Sequence, residues 1–167
     1  MSTTCTTITS PIGRLLLVGD ERALHGLYML DGPRPLAIDP AWTEDAAPFA
    51  AVITQLREYF AGERTDFDVA VELQGTPFQQ RVWNALREIP YGQTISYGEL
   101  ALRIDQPSAV RAVGLANGRN PVSVIVPCHR VIGANGTLTG YGGGVERKRL
   151  LLDLEAEQTT PRLLEFD

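Results

Sequence analysis

The sequence predicts an α+β protein in two parts: an antiparallel sheet with one helix over residues 1–75, and a mostly helical region over 76–167 containing a helix-turn-helix. Three observations carry this reading. Short β-branched and apolar runs alternate with Pro and Gly turns in the first third of the chain. From Thr76 onward the apolar residues recur at helical spacing. Two short helical stretches, each preceded by a serine, are separated only by Ile104 to Pro107.

In order along the chain, Thr3 to Thr9 reads as a strand, Ser10-Pro11-Ile12-Gly13 as a turn, and Arg14 to Val18 and Ala23 to Leu30 as two further strands. Gly32 to Pro40 is a proline-rich loop. Phe49, Val52, Ile53, Leu56 and Phe60 give Pro48 to Phe60 a helical stripe, whereas Phe67, Val69, Val71 and Leu73 alternate as in a strand. Gln74-Gly75-Thr76 marks the boundary, with Thr76 as amino-terminal cap and Pro77 at the first helical position. Phe78, Val82, Trp83, Leu86 and Ile89 then form a stripe that ends at Pro90. Ser96-Tyr97-Gly98-Glu99 reads as a capping box opening a helix to about Arg103. Ser108 is expected to cap a second helix, Ala109 to about Asn117, which Gly118 ends. That helix is slender, with Ala109, Ala112, Gly114 and Ala116, and Arg111 is its only charge. It suits a close approach to a groove, or plain helix packing with a surface arginine.

A hydrophobic fraction of 44% in 167 residues is enough for proper cores, and no apolar run approaches the roughly 20 residues of a membrane span. No secretory pattern opens the chain, so the cytoplasm is the expected location and a membrane is not an expected partner. The net charge of −5 speaks against strong, indiscriminate nucleic-acid binding, but it is unevenly spread. Residues 1–75 carry 5 basic and 11 acidic side chains, whereas 81–149 carry 9 basic and 4 acidic. A modest basic surface or a solvated helical face both fit that excess.

With only Cys5 and Cys128, a framework of several disulfides is impossible and a reduced, intracellular setting is favoured. Cys128 lies in Pro127-Cys128-His129-Arg130-Val131, directly after the apolar run Val122 to Val126, and is a candidate nucleophile or a buried small hydrophobe; its neighbours, a proline before it, a histidine after it and the glycines at 140–144, weigh against the second reading. Adjacent residues point away from each other on helix or strand, so a thiol-to-imidazole relay between Cys128 and His129 calls for a bridging water. A third member is sought among carboxylates on an apolar face. In the helical segment Val145 to Gln158, Glu155 shares a side with Leu151 and Leu152; it is a buried group orienting His129, or an edge carboxylate paired to Arg147, Lys148 or Arg149.

Pro90-Tyr91-Gly92-Gln93-Thr94, Ser96-Tyr97-Gly98-Glu99, Arg111-Ala112-Val113-Gly114, Asn120-Pro121, the Cys128 motif and Tyr141 with its glycines together resemble the O6-alkylguanine-DNA alkyltransferases in order and spacing. At motif level the resemblance covers residues 76–167; the first half agrees in size and layout. It implies a ribonuclease H-like amino-terminal domain and a winged-helix-like DNA-binding motif used in the minor groove of double-stranded DNA. The damaged nucleotide would be flipped into a pocket beside the cysteine, because a sulfur cannot attack a stacked base in line. By resemblance, Cys128 is the alkyl acceptor, His129 the water-mediated base, Glu155 the group that orients the imidazole, and Asn120 the hinge that braces the turn. Arg111 would fill the gap left by the base, Tyr97 would turn the 3′ phosphate and contact guanine N3, and Ala112 would pack in the groove. The carbonyls of Cys128 and Val131 would accept the exocyclic amine, Tyr141 would border the alkyl group, and Lys148 falls at the family's pocket lysine or on the surface.

Gly142 stands where relatives often have serine, although the useful donor there is a backbone amide. Once Cys128 and His129 are assigned, only Cys5 and His25 remain for a metal, too few for the structural zinc of some relatives, so neither metal nor cofactor is expected. O6-alkylguanine, and by extension O4-alkylthymine, would be the substrates, and self-association along DNA is a further expectation. An alkyl thioether, unlike a thioester, does not hydrolyse, so the protein would be consumed as a reagent. The competing readings are a cysteine hydrolase, which would turn over, and a non-catalytic recognition module, which would have no need of Cys128.

Overall fold

The computed structural model describes residues 2–33, 35–138, 141 and 143–159. Strands β1 (Thr4–Ile8), β2 (Leu15–Gly19) and β3 (Leu24–Met29) form the expected antiparallel meander. The β1–β2 turn closes where the Gly13 amide donates to the Ser10 carbonyl at 3.0 Å, and Gly13 has the left-handed φ of 104° that glycine adopts without cost. The sheet is not purely antiparallel. A two-residue strand, β4 (Thr43–Glu44), adds parallel to β1, giving the order β3-β2-β1-β4; two polar residues carry no periodicity by which to foresee it. β2 is buried on both faces: Leu15 and Leu17 enter the main core, and Leu16 and Val18 join Cys5 in a smaller cluster behind.

Helix α1 (Ala50–Phe60) follows a 3-10 turn at Ala47–Phe49 and packs Phe49, Val52, Leu56 and Tyr59 into that main core. The predicted strand through Phe67 and Leu73 is a correction. Its side chains do alternate between half-buried and exposed, but the segment pairs with β3 only around Leu24, whose amide donates to Ala70 O and whose carbonyl accepts from Glu72 N, both at 2.9 Å. The rest of that edge is taken from the other half of the chain, Leu27 N donating to Pro121 O at 2.9 Å and Leu27 O accepting from Ser123 N at 3.2 Å. An edge occupied by one segment cannot ladder with a second.

Helix α2 (Pro77–Leu86) starts at Thr76 as expected; Thr76 Oγ1 accepts the Gln79 amide at 3.1 Å and the Gln79 side chain accepts the Thr76 amide at 3.0 Å. It ends at Leu86, and Ile89 reaches the core from the turn beyond. Strand β5 (Ile95–Ser96) leads into α3 (Tyr97–Arg103), where Ser96 Oγ accepts the Glu99 amide at 3.0 Å. The expected capping box is only half made, because the Glu99 carboxylate accepts from Arg103 instead. The turn is closed by Asp105 at φ 60°: Gln106 N reaches back to Ala101 O and Asp105 N to Leu102 O, the pattern that glycine usually completes at a helix end.

Helix α4 (Val110–Gly118) departs from expectation at both ends. Ser108 is not its cap: the Ala109 amide is engaged by Gln106 O in a preceding turn, so the helix begins one residue later without a side-chain cap. Gly118 is its last residue and not a left-handed stop. Trp83 Nε1 donates to Ala116 O at 2.8 Å, tying α2 to α4. Val122 to Val126 forms a tight turn, then a 3-10 turn at Cys128–Arg130 runs into β6 (Val131–Ile132), parallel to β5. Helix α5 (Val145–Thr159) closes the fold as predicted. No helix among the described residues is long and apolar enough to cross a membrane. One continuous core includes residues from both halves. Thr76→Ala, which removes the α2 cap, should destabilise the protein by about 1 kcal/mol in chemical denaturation at pH 7.

Candidate active site

Cys128, His129 and Arg130 sit on consecutive positions of the 3-10 turn, and all three are buried. The backbone beneath them is strained and then braced. Val124 has φ 72°, a conformation β-branched residues rarely adopt. Asn120 spans the loop around it: its Oδ1 accepts the Val122 amide at 3.0 Å and its Nδ2 donates to Val126 O at 2.7 Å. Asn117 adds a longer bond, 3.4 Å, from Nδ2 to Cys128 O.

Glu155 is 1% exposed, so the edge pairing with Arg147, Lys148 or Arg149 is not realised; Arg147 Nε instead donates to Ile12 O at 2.9 Å. The Glu155 carboxylate takes His129 Nε2 at 2.6 Å, Tyr59 Oη at 2.5 Å, Arg130 Nε and Nη2 at 2.8 and 3.1 Å, and the Gly92 amide at 3.3 Å. Burial alone would raise its pKa; the bonds and charges of His129 and Arg130 outweigh that and hold the carboxyl well below the usual carboxylate range. An ionised carboxylate only accepts, so the proton shared with His129 resides on Nε2. That leaves His129 Nδ1 as a bare acceptor, buried and without a partner among the described residues. Desolvation lowers the His129 pKa more than Glu155 restores it, with Arg130 and Lys148 acting in the same direction as burial, so the ring rests neutral.

Burial pushes the Cys128 thiol up; the Asn120 side chain, the Lys148 ammonium and the cysteine's own amide, with Ser123, act the other way without cancelling it. Lys148 is not on the surface: it is fully buried, its Nζ 5.8 Å from the centre of the Tyr97 ring, and burial lowers its pKa. Cys128 borders a cavity of about 360 Å³ with Asn120, Ser123, Tyr141, Tyr28 and Met29, the last two contributed by β3. Gly143 closes against that strand so tightly that a Cβ there would lie 2.1 Å from Met29 Sδ. Val131 is buried just past the turn, while Gly142 lies outside the described residues.

Arg111 and Ala112 are exposed on α4 and do not line the cavity; the α4 end that does is Gly118, with Arg119 beyond it, roughly 10 Å along the axis from Arg111. Leu115, 66% exposed, lies on the same open face. Tyr97, half-buried, opens α3. Arg130 and Tyr59 were missed. Arg130 follows the Cys-His pair directly, and Tyr59 continues the Val52, Leu56 stripe at helical spacing, so a polar atom on a buried face was the available signal. Among the described residues no group of three or more His, Cys, Asp or Glu side chains is arranged to hold a metal ion; His25 lies 3.5 Å from Asp20 and 3.3 Å from Glu72, and Cys5 is buried in the sheet.

A helix-turn-helix beside a buried thiol, an imidazole with one open nitrogen and a charged carboxylate defines a DNA-binding protein equipped for nucleophilic group transfer. Two family models match the chain: the ribonuclease-like domain of 6-O-methylguanine DNA methyltransferase over residues 3–73 and its DNA-binding domain over 77–157. Methylated-DNA–protein-cysteine methyltransferases of Mycobacterium bovis and Methanosarcina acetivorans are 56% and 53% identical, over 96% and 87% of this chain and 97% and 94% of theirs. A crystal structure of Mycobacterium tuberculosis OGT in complex with DNA superposes with TM-score 0.87 at 55% identity, covering 98% of this chain and 99% of that one. The chain belongs to the 6-O-methylguanine DNA methyltransferase family.

Arg130→Met would leave the buried Glu155 charge without its cation, at a cost of about 3–5 kcal/mol in chemical denaturation at pH 7. The depressed folded-state pKa means the stability Glu155 contributes is present above the unfolded carboxyl value of 4.5 and is lost as pH falls below it. The difference between variant and wild type should therefore shrink in denaturation curves taken at successively lower pH.

Proposed function

We propose that this protein repairs O6-alkylguanine in double-stranded DNA by moving the alkyl group, once per molecule, onto Cys128. The observation that carries the assignment is the open Nδ1 of a neutral, carboxylate-anchored His129 on the residue next to a buried cysteine that borders a cavity. The thiol proton passes to Nδ1 through a bridging water, the sulfur forms a bond to the alkyl carbon, and the carbon–O6 bond breaks with its electrons leaving on guanine. Guanine regains a proton from the site, with the Tyr97 hydroxyl directed at its N3. The product is a thioether, which no water in the site hydrolyses, so turnover stops at one.

Base extrusion costs a few kcal/mol of stacking and pairing. The open face of α4 is proposed to enter the minor groove, with Ala112 against the backbone and Arg111 filling the vacated stack. Exposure of both side chains, and the low bulk of Gly114 between them and Leu115, support that use. Lys148, Val131 and Tyr141 would line the base subsite, and Gly142 would lend its amide. O4-alkylthymine is an additional candidate substrate, and self-association would appear as cooperative binding to longer duplexes. The proposed division at 75/76 is supported by family models that end at 73 and begin at 77. A cytoplasmic location is supported by two unpaired cysteines.

Incubation with a duplex carrying one O6-methylguanine should place one methyl on Cys128, read by intact and peptide mass, with repair stopping at one equivalent. Cys128→Ser should abolish transfer and leave DNA binding intact. Continued turnover would instead indicate a hydrolase, and binding without modification a recognition module. Arg111→Ala should slow repair of the duplex more than reaction with free O6-benzylguanine, compared as second-order rates; equal losses would remove the gap-filling role.

A further inference from the structure

We infer that Tyr59 is a positioning residue of the transfer reaction, and that through it the amino-terminal half of the chain sets the basicity of the imidazole that deprotonates Cys128. The inference deepens the proposed function and rests on it. Tyr59 lies on α1, 96 positions before Glu155, and is fully buried. Its ring packs against Phe60, Phe67 and Tyr91 with centroids 5.3, 5.4 and 6.1 Å away, contacts that phenylalanine would make equally well. The hydroxyl is the part that packing does not require, and it donates to Glu155 Oε2 at 2.5 Å.

The same oxygen accepts His129 Nε2 at 2.6 Å. Two protons directed at one oxygen divide its electron density, so the Tyr59 bond weakens the hold of Oε2 on the imidazole proton. A weaker hold makes the imidazolium less stable and Nδ1 less basic. Tyr59 is not needed to keep Glu155 ionised, because Arg130 bonds both carboxylate oxygens and the Gly92 amide reaches Oε1. Among the described residues, the groups facing His129 and its carboxylate are Cys128 and Arg130 on its own turn, Glu155 and Lys148 on α5, Tyr59 on α1, Tyr91 in the loop before Gly92, and Tyr141, which interacts with Glu155 and Cys128. Of these, Tyr59 is the one that donates to Oε2 without carrying a positive charge or the reacting proton. Its effect is to keep His129 neutral, and so available as a base, to lower pH.

The test uses the full chain with Tyr59→Phe, following benzyl transfer from free O6-benzylguanine between about pH 5 and pH 8, where histidine changes charge. The acid limb should move up by about one pH unit, the scale of a hydrogen bond to a charged group, with the plateau rate within about twofold of wild type. In NMR spectra the His129 Nε2 proton should move downfield, assigned against His25, the one other histidine. An unmoved limb and resonance in a folded variant, or a uniform loss at every pH, would overturn the inference. Should Tyr59→Phe fail to fold, 3,5-difluorotyrosine placed at position 59, a stronger donor of similar shape, should move limb and resonance the opposite way. The resonance requires no transfer. A wild-type protein that took no benzyl group would therefore remove the alkyl-transfer reading, while the spectrum still decided whether Tyr59 acts on His129.

Discussion

The structure is organised around one buried negative charge. Glu155 is removed from water almost completely, and a lone carboxylate there would take a proton. It stays ionised because His129 and Arg130 of the 3-10 turn bond it, and donors from other segments converge on the same carboxylate: Tyr59 from α1 and the Gly92 amide from the loop after α2. Arg130 also donates from Nη1 to Ile89 O at 2.7 Å and stacks 5.6 Å from the Tyr91 ring, so its own position is determined on three sides. Each donor is held by packing elsewhere, and the carboxylate ties those elements to one another.

From that charge the chemistry follows in sequence. An ionised Oε2 fixes the proton of His129 on Nε2 and opens Nδ1. Desolvation keeps the imidazole neutral and the Cys128 thiol protonated at rest, although Lys148 and Asn120 favour the thiolate. A thiol is a weaker nucleophile than a thiolate, so the resting sulfur is the less reactive of its two forms. The strained Val124 lies within a loop that Asn120 bonds on both sides, just before the turn that carries the sulfur.

The first half of the chain is more than a support. β3 contributes Tyr28 and Met29 to the cavity and shares its edge between residues 70–72 and 121–123. Arg147 on α5 donates to Ile12 O in the β1–β2 turn, and Gly143 fits against Met29 only because it lacks a side chain. The cavity wall and the carboxylate network thus both cross between the halves, as does the main core.

The local features were legible in the sequence because they are encoded locally. The Thr76 cap, the stripe of α2, the serine before α3 and the Leu151–Glu155 face each depend on residues within a turn or two, and the Cys128 motif names thiol and base in adjacent positions. Where the sequence misled, at Ser108 and in the segment through Phe67 and Leu73, a neighbouring turn or a competing segment had taken the hydrogen bonds that local pattern promised. By itself, then, the sequence determined the class of fold and the order of its helices, and named Cys128, His129 and Glu155 as candidates for thiol, imidazole and carboxylate. Only the tertiary structure decided which groups hold that carboxylate. Arg130 and Tyr59 lie 25 and 96 positions away from it, and bonds across such separations are set by how elements pack, not by any spacing a linear chain displays.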